Sequence, residues 1–67
     1  MILYTQNGCP QCKMVHMMMD KYNIKYEECQ DLDKMRELGI VHTPTLSVDN
    51  KLLVGKELMN WINEHRG

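Results

Sequence analysis

The sequence lacks the features that mark several large classes of protein. In its 67 residues no apolar run approaches the roughly 18 residues of a membrane span. Lysine and arginine form no run and the formal net charge is −1, so the composition does not indicate nucleic acid or an acidic membrane surface as the main partner. Glycine and proline are few, at four and two residues, which together with a 43% hydrophobic content argues against disorder.

Cysteine is also scarce, and its three occurrences do not suit a secreted disulfide framework, which would more naturally have an even number. No basic segment followed by an apolar stretch precedes the first predicted strand, so we expect no signal peptide. Two of the cysteines stand in the sequence Cys9-Pro10-Gln11-Cys12. We therefore expect a cytoplasmic, monomeric protein whose disulfide forms and breaks during function.

Hydrophobic periodicity predicts one domain over residues 1–67 with the element order β-α-β-α-β-β-α. Strands are predicted at 2–5, 24–28, 45–48 and 51–54. In the second strand Ile24 and Tyr26 should face inward. The first two strands are linked by a helix and should be parallel, with a right-handed crossover, and Asp49-Asn50 should join the last two as an antiparallel hairpin. The predicted fold is therefore α/β, with a four-stranded mixed sheet and helices on its faces.

Three helices are predicted from apolar stripes and end signals. The first runs from Pro10 to about Tyr22 and has proline at its first position, where the missing N–H has no partner to lose. The second has Asp31 as its N-cap and Gly39 as its terminator. The residues expected to face the core are Val15, Met18, Met19 and Tyr22 in the first helix, Leu32, Met35 and Leu38 in the second, and Leu58, Trp61, Ile62 and His65 in the third.

Cys9 and Cys12 lie three residues apart across the first turn of the first helix, so their thiols can reach each other and close a disulfide. Cys9 stands where unpaired backbone N–H groups and the positive end of the helix dipole favour a negative thiolate. Cys12 should lie deeper against the fold, where burial keeps its thiol protonated. Pro10 fixes the backbone between the sulfurs, and Lys13, four residues after Cys9, adds favourable charge. This pattern is typical of a redox dithiol.

Three features placed in this order resemble a known fold. Cys9-Pro10-Gln11-Cys12 follows a first strand, Thr43-Pro44 precedes a third strand and Gly55 follows a hairpin, as in the thioredoxin fold in its shortest form. The resemblance covers essentially the whole chain, which is similar to glutaredoxins and to the glutaredoxin-sized redoxins that reduce ribonucleotide reductase. It implies a thiol–disulfide oxidoreductase in which Cys9 is the nucleophile and Cys12 the resolving cysteine, with a cis Thr43–Pro44 bond beside the dithiol.

The resemblance leaves the reductant open. Glutaredoxins typically have a basic residue three before the nucleophile, where this chain has Gln6, and a Gly-Gly followed by acidic residues, where it has Gly55 and then Lys56-Glu57. The ribonucleotide-reductase redoxins usually carry Trp-x-Gly-Phe after the hairpin, where this chain has Leu53-Val54-Gly55-Lys56. We therefore expect a disulfide-bearing protein substrate, recharging by a thioredoxin-reductase-type enzyme and no bound cofactor. Glutathione is the alternative reductant.

By the same resemblance, the substrate site consists of Gln11, Thr43, Pro44 and Gly55, with Pro10, Lys13 and His42 in support. An extended peptide, or the backbone of glutathione, can pair with exposed main chain at Thr43-Pro44. His42, two residues before Pro44, either holds Cys9 as a thiolate or is an ordinary loop residue. The first strand offers Tyr4 and no acid, so we expect no counterpart of the acid that full-length thioredoxins bury beneath the dithiol.

A zinc-binding module is the alternative from a different functional class. Its ligands would be Cys9 and Cys12 with one or two of His16, Cys29 and His42. The element pattern needs no metal to build a core, which favours the enzyme. Outside such a site, Cys29 is interpreted as a small, buried or half-buried apolar residue. The run of methionines in the first helix, in which helical spacing selects the core positions, is interpreted as packing rather than copper ligands, with Met17 facing solvent or a partner.

Overall fold

Four short strands and three helices follow one another in the computed structural model, which describes residues 1–65. The elements are β1 (Ile2–Tyr4), α1 (Pro10–Lys21), β2 (Glu27–Cys29), α2 (Leu32–Glu37), β3 (Thr45–Val48), β4 (Lys51–Leu53) and α3 (Gly55–His65). This is the predicted order. No helix in this part of the chain is long and apolar enough to cross a membrane.

The strands form one mixed sheet in the order β2-β1-β3-β4. β1 pairs with β2 in parallel and with β3 antiparallel, and β3 pairs antiparallel with β4. Asp49 and Asn50 join the last two strands with φ values of 49° and 66°. Positive φ at both central residues is what a tight two-residue hairpin requires, and Asn and Asp tolerate it better than most residues. The predicted α/β fold and its hairpin are confirmed.

One face of the sheet carries the main core. Leu3 pairs with Leu46, which pairs with Leu53, so these three side chains point to the same side. The fully buried residues that pack together are Leu3, Val15, Met19, Leu46, Leu58 and Ile62. Because four of the six come from α1 and α3, these two helices cover this face. Met18, Tyr22 and Trp61, also predicted to face the core, pack against the cluster partly buried.

The opposite face of the sheet is covered by fewer buried side chains. Tyr4 and Thr45 point to it and are buried, and since α1 and α3 occupy the other side, we infer that α2 covers them. Of the described residues of α2, only Met35 is buried. The prediction that Leu32 and Leu38 also face the core is wrong, because their exposed fractions are 52% and 43%. A helix of six residues has fewer than two turns and presents little surface to the sheet.

The helix ends follow the predicted signals. The Asp31 carboxylate accepts the N–H groups of Asp33 and Lys34, which caps the start of α2. Gly39, with φ of 75°, lies just beyond the C-cap Leu38, where a left-handed residue ends a helix at little steric cost.

The start of the second strand and the burial of His65 differ from their predictions. Ile24 and Tyr26 pack against the core, but they precede β2, because the N–H of Ile24 donates to the carbonyl of Met19 at 2.9 Å and closes the end of α1. His65 is exposed rather than core-facing. Its ring stacks on Trp61 with 4.0 Å between ring centroids, at the end of α3.

Candidate active site

Cys9 and Cys12 form a disulfide at the start of α1, with their Cα atoms 5.2 Å apart, well within the range that a disulfide spans without backbone movement. Cys9 is the N-cap residue, with extended backbone, and Pro10 takes the first helical position. The backbone N–H of Cys12 donates to Cys9 Sγ over 3.1 Å. A thiolate at Cys9 would therefore accept a hydrogen bond from the helix start, which stabilises its charge.

The two sulfurs differ in accessibility. Cys12 is buried, with 4% of its surface exposed, whereas Cys9 is only partly buried. Cys12 lies one turn into α1, where the helix packs against the sheet, and Cys9 stands at the exposed end. An incoming disulfide can therefore reach Cys9 before it can reach Cys12, which is the order that an attacking and a resolving cysteine require.

The loop before β3 contacts the accessible sulfur. Thr43 places its carbonyl oxygen 3.9 Å and its hydroxyl 3.8 Å from Cys9 Sγ. The Thr43–Pro44 peptide bond is cis, as the resemblance implied. The loop is held in place by the buried Thr45, whose hydroxyl donates to the carbonyl of His42 over 2.6 Å. The structure thus brings the predicted Thr43-Pro44 element and the dithiol together.

A groove runs from this loop to the start of α3. All four residues predicted for the substrate site line it, namely Gln11, Thr43, Pro44 and Gly55. His42 and Lys56 line it as well, with apolar side chains including Met14, Val54 and Met59. Its volume of about 580 Å³ lies within the ~300–1,000 Å³ of small-ligand sites. The groove therefore has Gln11 of the dithiol motif and Gly55 of the turn after the hairpin in one lining.

Lys13 and His42 lie on opposite sides of the dithiol. His42 is exposed and lines the groove. The loop's contacts to Cys9 Sγ come from Thr43, the residue after His42. A role for His42 in holding a thiolate stays a prediction. Lys13 lines a second cavity, on the β2 side, together with Cys9 and Cys12.

This second cavity is lined by two titratable residues that the prediction of an active site did not include, Glu28 and His16. The ring of His16 contacts the Tyr26 hydroxyl through Nδ1 and lies 3.5 Å from Asp20 and 3.9 Å from Glu28. Burial and then the negative charges of Asp20 and Glu28 raise the pKa of Tyr26, so its hydroxyl keeps its proton at neutral pH. The alternation of Ile24 and Tyr26 in the sequence extends to Glu28, and this was the signal that could have placed it inward.

The residues of the zinc alternative are not gathered. In the part of the chain that the structure describes, no group of three or more His, Cys, Asp or Glu is placed to hold a metal ion. Cys29 is half-buried at the end of β2, where it pairs with Tyr4 in the sheet.

An accessible sulfur bound to a buried one at a helix start is the arrangement of a thiol–disulfide exchange protein. The family model described as glutaredoxin matches residues 1–53, which include both cysteines and the cis-proline. The chain therefore belongs to the glutaredoxin family, which consists of thiol–disulfide oxidoreductases that use glutathione as a reductant. No curated protein and no solved structure matches this chain significantly.

Proposed function

We propose that this protein reduces disulfides of partner proteins through the Cys9–Cys12 dithiol. The observation that carries the proposal is the unequal burial of the two sulfurs at the start of α1, since it gives each cysteine a different part in the exchange. Ribonucleotide reductase is the kind of substrate that the resemblance suggests.

The reaction proceeds in two exchanges. The Cys9 thiolate attacks one sulfur of the partner disulfide, a Cys9–partner disulfide forms, and the other partner sulfur leaves as a thiolate that takes up a proton. Cys12 then loses its proton and attacks Cys9 Sγ. The Cys9–Cys12 disulfide forms, the second partner sulfur is released, and it too becomes a thiol. Two electrons have passed from the dithiol to the partner.

Binding of the partner uses the groove beside Thr43. An extended segment that carries the target cysteine can pair with the main chain next to Pro44 and extend past Gln11 towards Gly55. The exposed apolar side chains of Met14 and Val54 suit the apolar residues of such a segment. These features support a protein substrate.

Recharging of the disulfide has two candidate routes. We propose a thioredoxin-reductase-type enzyme first, because Gln6 and the single Gly55 depart from the glutathione-binding pattern. Membership of the glutaredoxin family favours glutathione as the second candidate. Lys56, in the groove at the start of α3, could bind one of its carboxylates. We also propose that the protein acts as a monomer in the cytoplasm, where thiols are kept reduced.

The proposed function is tested by trapping and turnover. We expect Cys12→Ser to accumulate a mixed disulfide with a protein substrate, visible by non-reducing electrophoresis, and Cys9→Ser to form none. Cys29→Ser is the matched control, which should turn over as the unmodified protein does. Failure of Cys12→Ser to trap any protein disulfide would contradict the assigned roles.

Two coupled assays identify the reductant. One links turnover to NADPH and thioredoxin reductase, and the other to glutathione and glutathione reductase. Turnover only in the first supports our first candidate, and turnover only in the second replaces it with glutathione.

A further inference from the structure

The cavity on the β2 side of the dithiol places a carboxylate in the same space as the buried cysteine. Cys12 and Glu28 both line it, and its volume of about 460 Å³ admits water. Glu28 pairs in the sheet with Leu3, whose side chain points towards α1 and α3. Side chains at paired positions share a face, so Glu28 is directed towards the helix that carries Cys12.

A buried hydroxyl contacts this carboxylate on the cavity side. Thr5 is 2% exposed and donates to Glu28 Oε2 over 3.3 Å. The side-chain amide of Gln30 in turn donates to the Thr5 hydroxyl over 3.4 Å. His16 approaches Glu28 Oε2 to 3.9 Å from α1.

The exchange requires a proton to leave Cys12 at a point where water has little access. Cys12 must become a thiolate to attack Cys9 Sγ, yet only 4% of its surface is exposed. A base that lines the same cavity can take the proton through an intervening water molecule.

We propose that Glu28 accepts the proton of Cys12 during the resolving step, with Thr5 and His16 as positioning residues. The inference rests on the proposed function. In this step the Cys12 S–H bond breaks, its proton moves through an intervening water molecule to the Glu28 carboxylate, and the sulfur electron pair forms the bond to Cys9 Sγ. The bond between Cys9 and the partner sulfur breaks, and the partner leaves as a thiolate. That thiolate takes a proton from solvent, and Glu28 returns its proton to solvent.

The other charged groups around the cavity are few. From α1 come Lys13 and His16, from its N-cap comes Cys9, and from β2 comes Glu28. His16 is also faced by Asp20 on α1 and by Tyr26, which precedes β2. The Thr5 hydroxyl after β1 does not titrate. The negative charge of Glu28 would by itself disfavour a Cys12 thiolate. Removing that charge should therefore speed the resolving step if only repulsion acts, and slow it if Glu28 accepts the proton.

The experiment separates the two exchanges by stopped flow. Reduced protein carrying Cys29→Ser reacts with dithiobis(nitrobenzoic acid), which releases one coloured thiolate when Cys9 attacks and a second when Cys12 resolves. With Glu28→Gln we expect an unchanged first phase. The second phase at neutral pH should slow about tenfold. This is less than the ~10²–10⁴-fold contribution typical of general bases, because the Glu28 side chain is 41% exposed and water competes with it as the proton acceptor.

A chemical rescue distinguishes proton transfer from a structural effect. Formate, a small carboxylate, should restore the slow second phase of Glu28→Gln in proportion to its concentration, and Glu28→Asp should retain part of the rate. Glu27→Gln is the matched control, since Glu27 neighbours Glu28 on β2 and points to the opposite face, and it should leave both phases unchanged.

Each result decides between the hypotheses. A second phase that is unchanged or faster in Glu28→Gln overturns the inference, as does a slow phase that formate does not restore. In either case, two normal phases in the parent protein leave the proposed function intact. If the parent itself shows no second phase, the function proposed for the dithiol fails.

Discussion

The two faces of the sheet are covered very differently. On one, α1 and α3 bury Val15, Met19, Leu58 and Ile62 against the strands. On the other, the six residues of α2 contribute one buried side chain, Met35. The dithiol stands at the start of α1, so the well-packed face is also the face that holds the reactive helix in position. The difference indicates that most of the stability of this small domain is concentrated behind the active site.

The largest effect on stability is expected from a substitution that creates a cavity in the well-packed face. Ile62 is fully buried in the main cluster, and Ile62→Ala should cost about 2–5 kcal/mol. This cost is comparable with the whole stability of a domain of this size. Thermal unfolding followed by circular dichroism should show a large fall in Tm or the loss of a cooperative transition. A cost below ~1 kcal/mol would show that the two faces do not differ as described.

A smaller, pH-dependent effect is expected at the edge of the same face, from Tyr26→Phe. The variant loses the hydroxyl contact to His16, which should cost about 1 kcal/mol near neutral pH. The folded state raises the pKa of Tyr26, so its stabilising effect is complete below about pH 10, the unfolded value, and is lost as pH rises through the folded pKa.

The measurement is the free energy of unfolding of both proteins at a series of pH values from neutral into the alkaline range. The advantage of the unmodified protein over Tyr26→Phe should shrink as the tyrosine ionises. A difference that stays constant or grows there would contradict the prediction.

The smallest effect is expected on the sparsely covered face. Leu32→Ala removes a side chain that is more than half exposed, so the free energy of unfolding should change by no more than about 0.5 kcal/mol. Chemical denaturation of Leu32→Ala beside Ile62→Ala tests the comparison directly. If Leu32→Ala costs as much as Ile62→Ala, α2 is packed more tightly than its exposure indicates.

The element order could be predicted because it depends on local signals. Asp31 caps a helix through its own carboxylate, and Asp49-Asn50 adopts positive φ, whatever the rest of the chain does. Whether an apolar stripe is buried does not depend on the local sequence alone. Leu32 and Leu38 belong to a helical stripe, as Leu58 and Ile62 do, but the length of each helix and its fit to the sheet decide which stripe is buried.

The candidate site was predictable to a similar extent. The dithiol and the Thr43-Pro44 element could be recognised because each consists of residues close together in the sequence. Glu28 could not, because its approach to the cavity depends on the register between β1 and β2 and on the hydroxyl of Thr5. A search for an acid in the first strand could not find one that the neighbouring strand supplies.

The Asp49-Asn50 turn has a practical consequence for finding partners. Tyr4 pairs with Thr45 at the end of the sheet next to the dithiol, and β3 runs from there to Val48, so the turn lies at the far end. Both turn residues are exposed. A flexible tether inserted between them would fix the Cys12→Ser variant to a resin with Cys9 facing outwards, so that target proteins are retained as mixed disulfides.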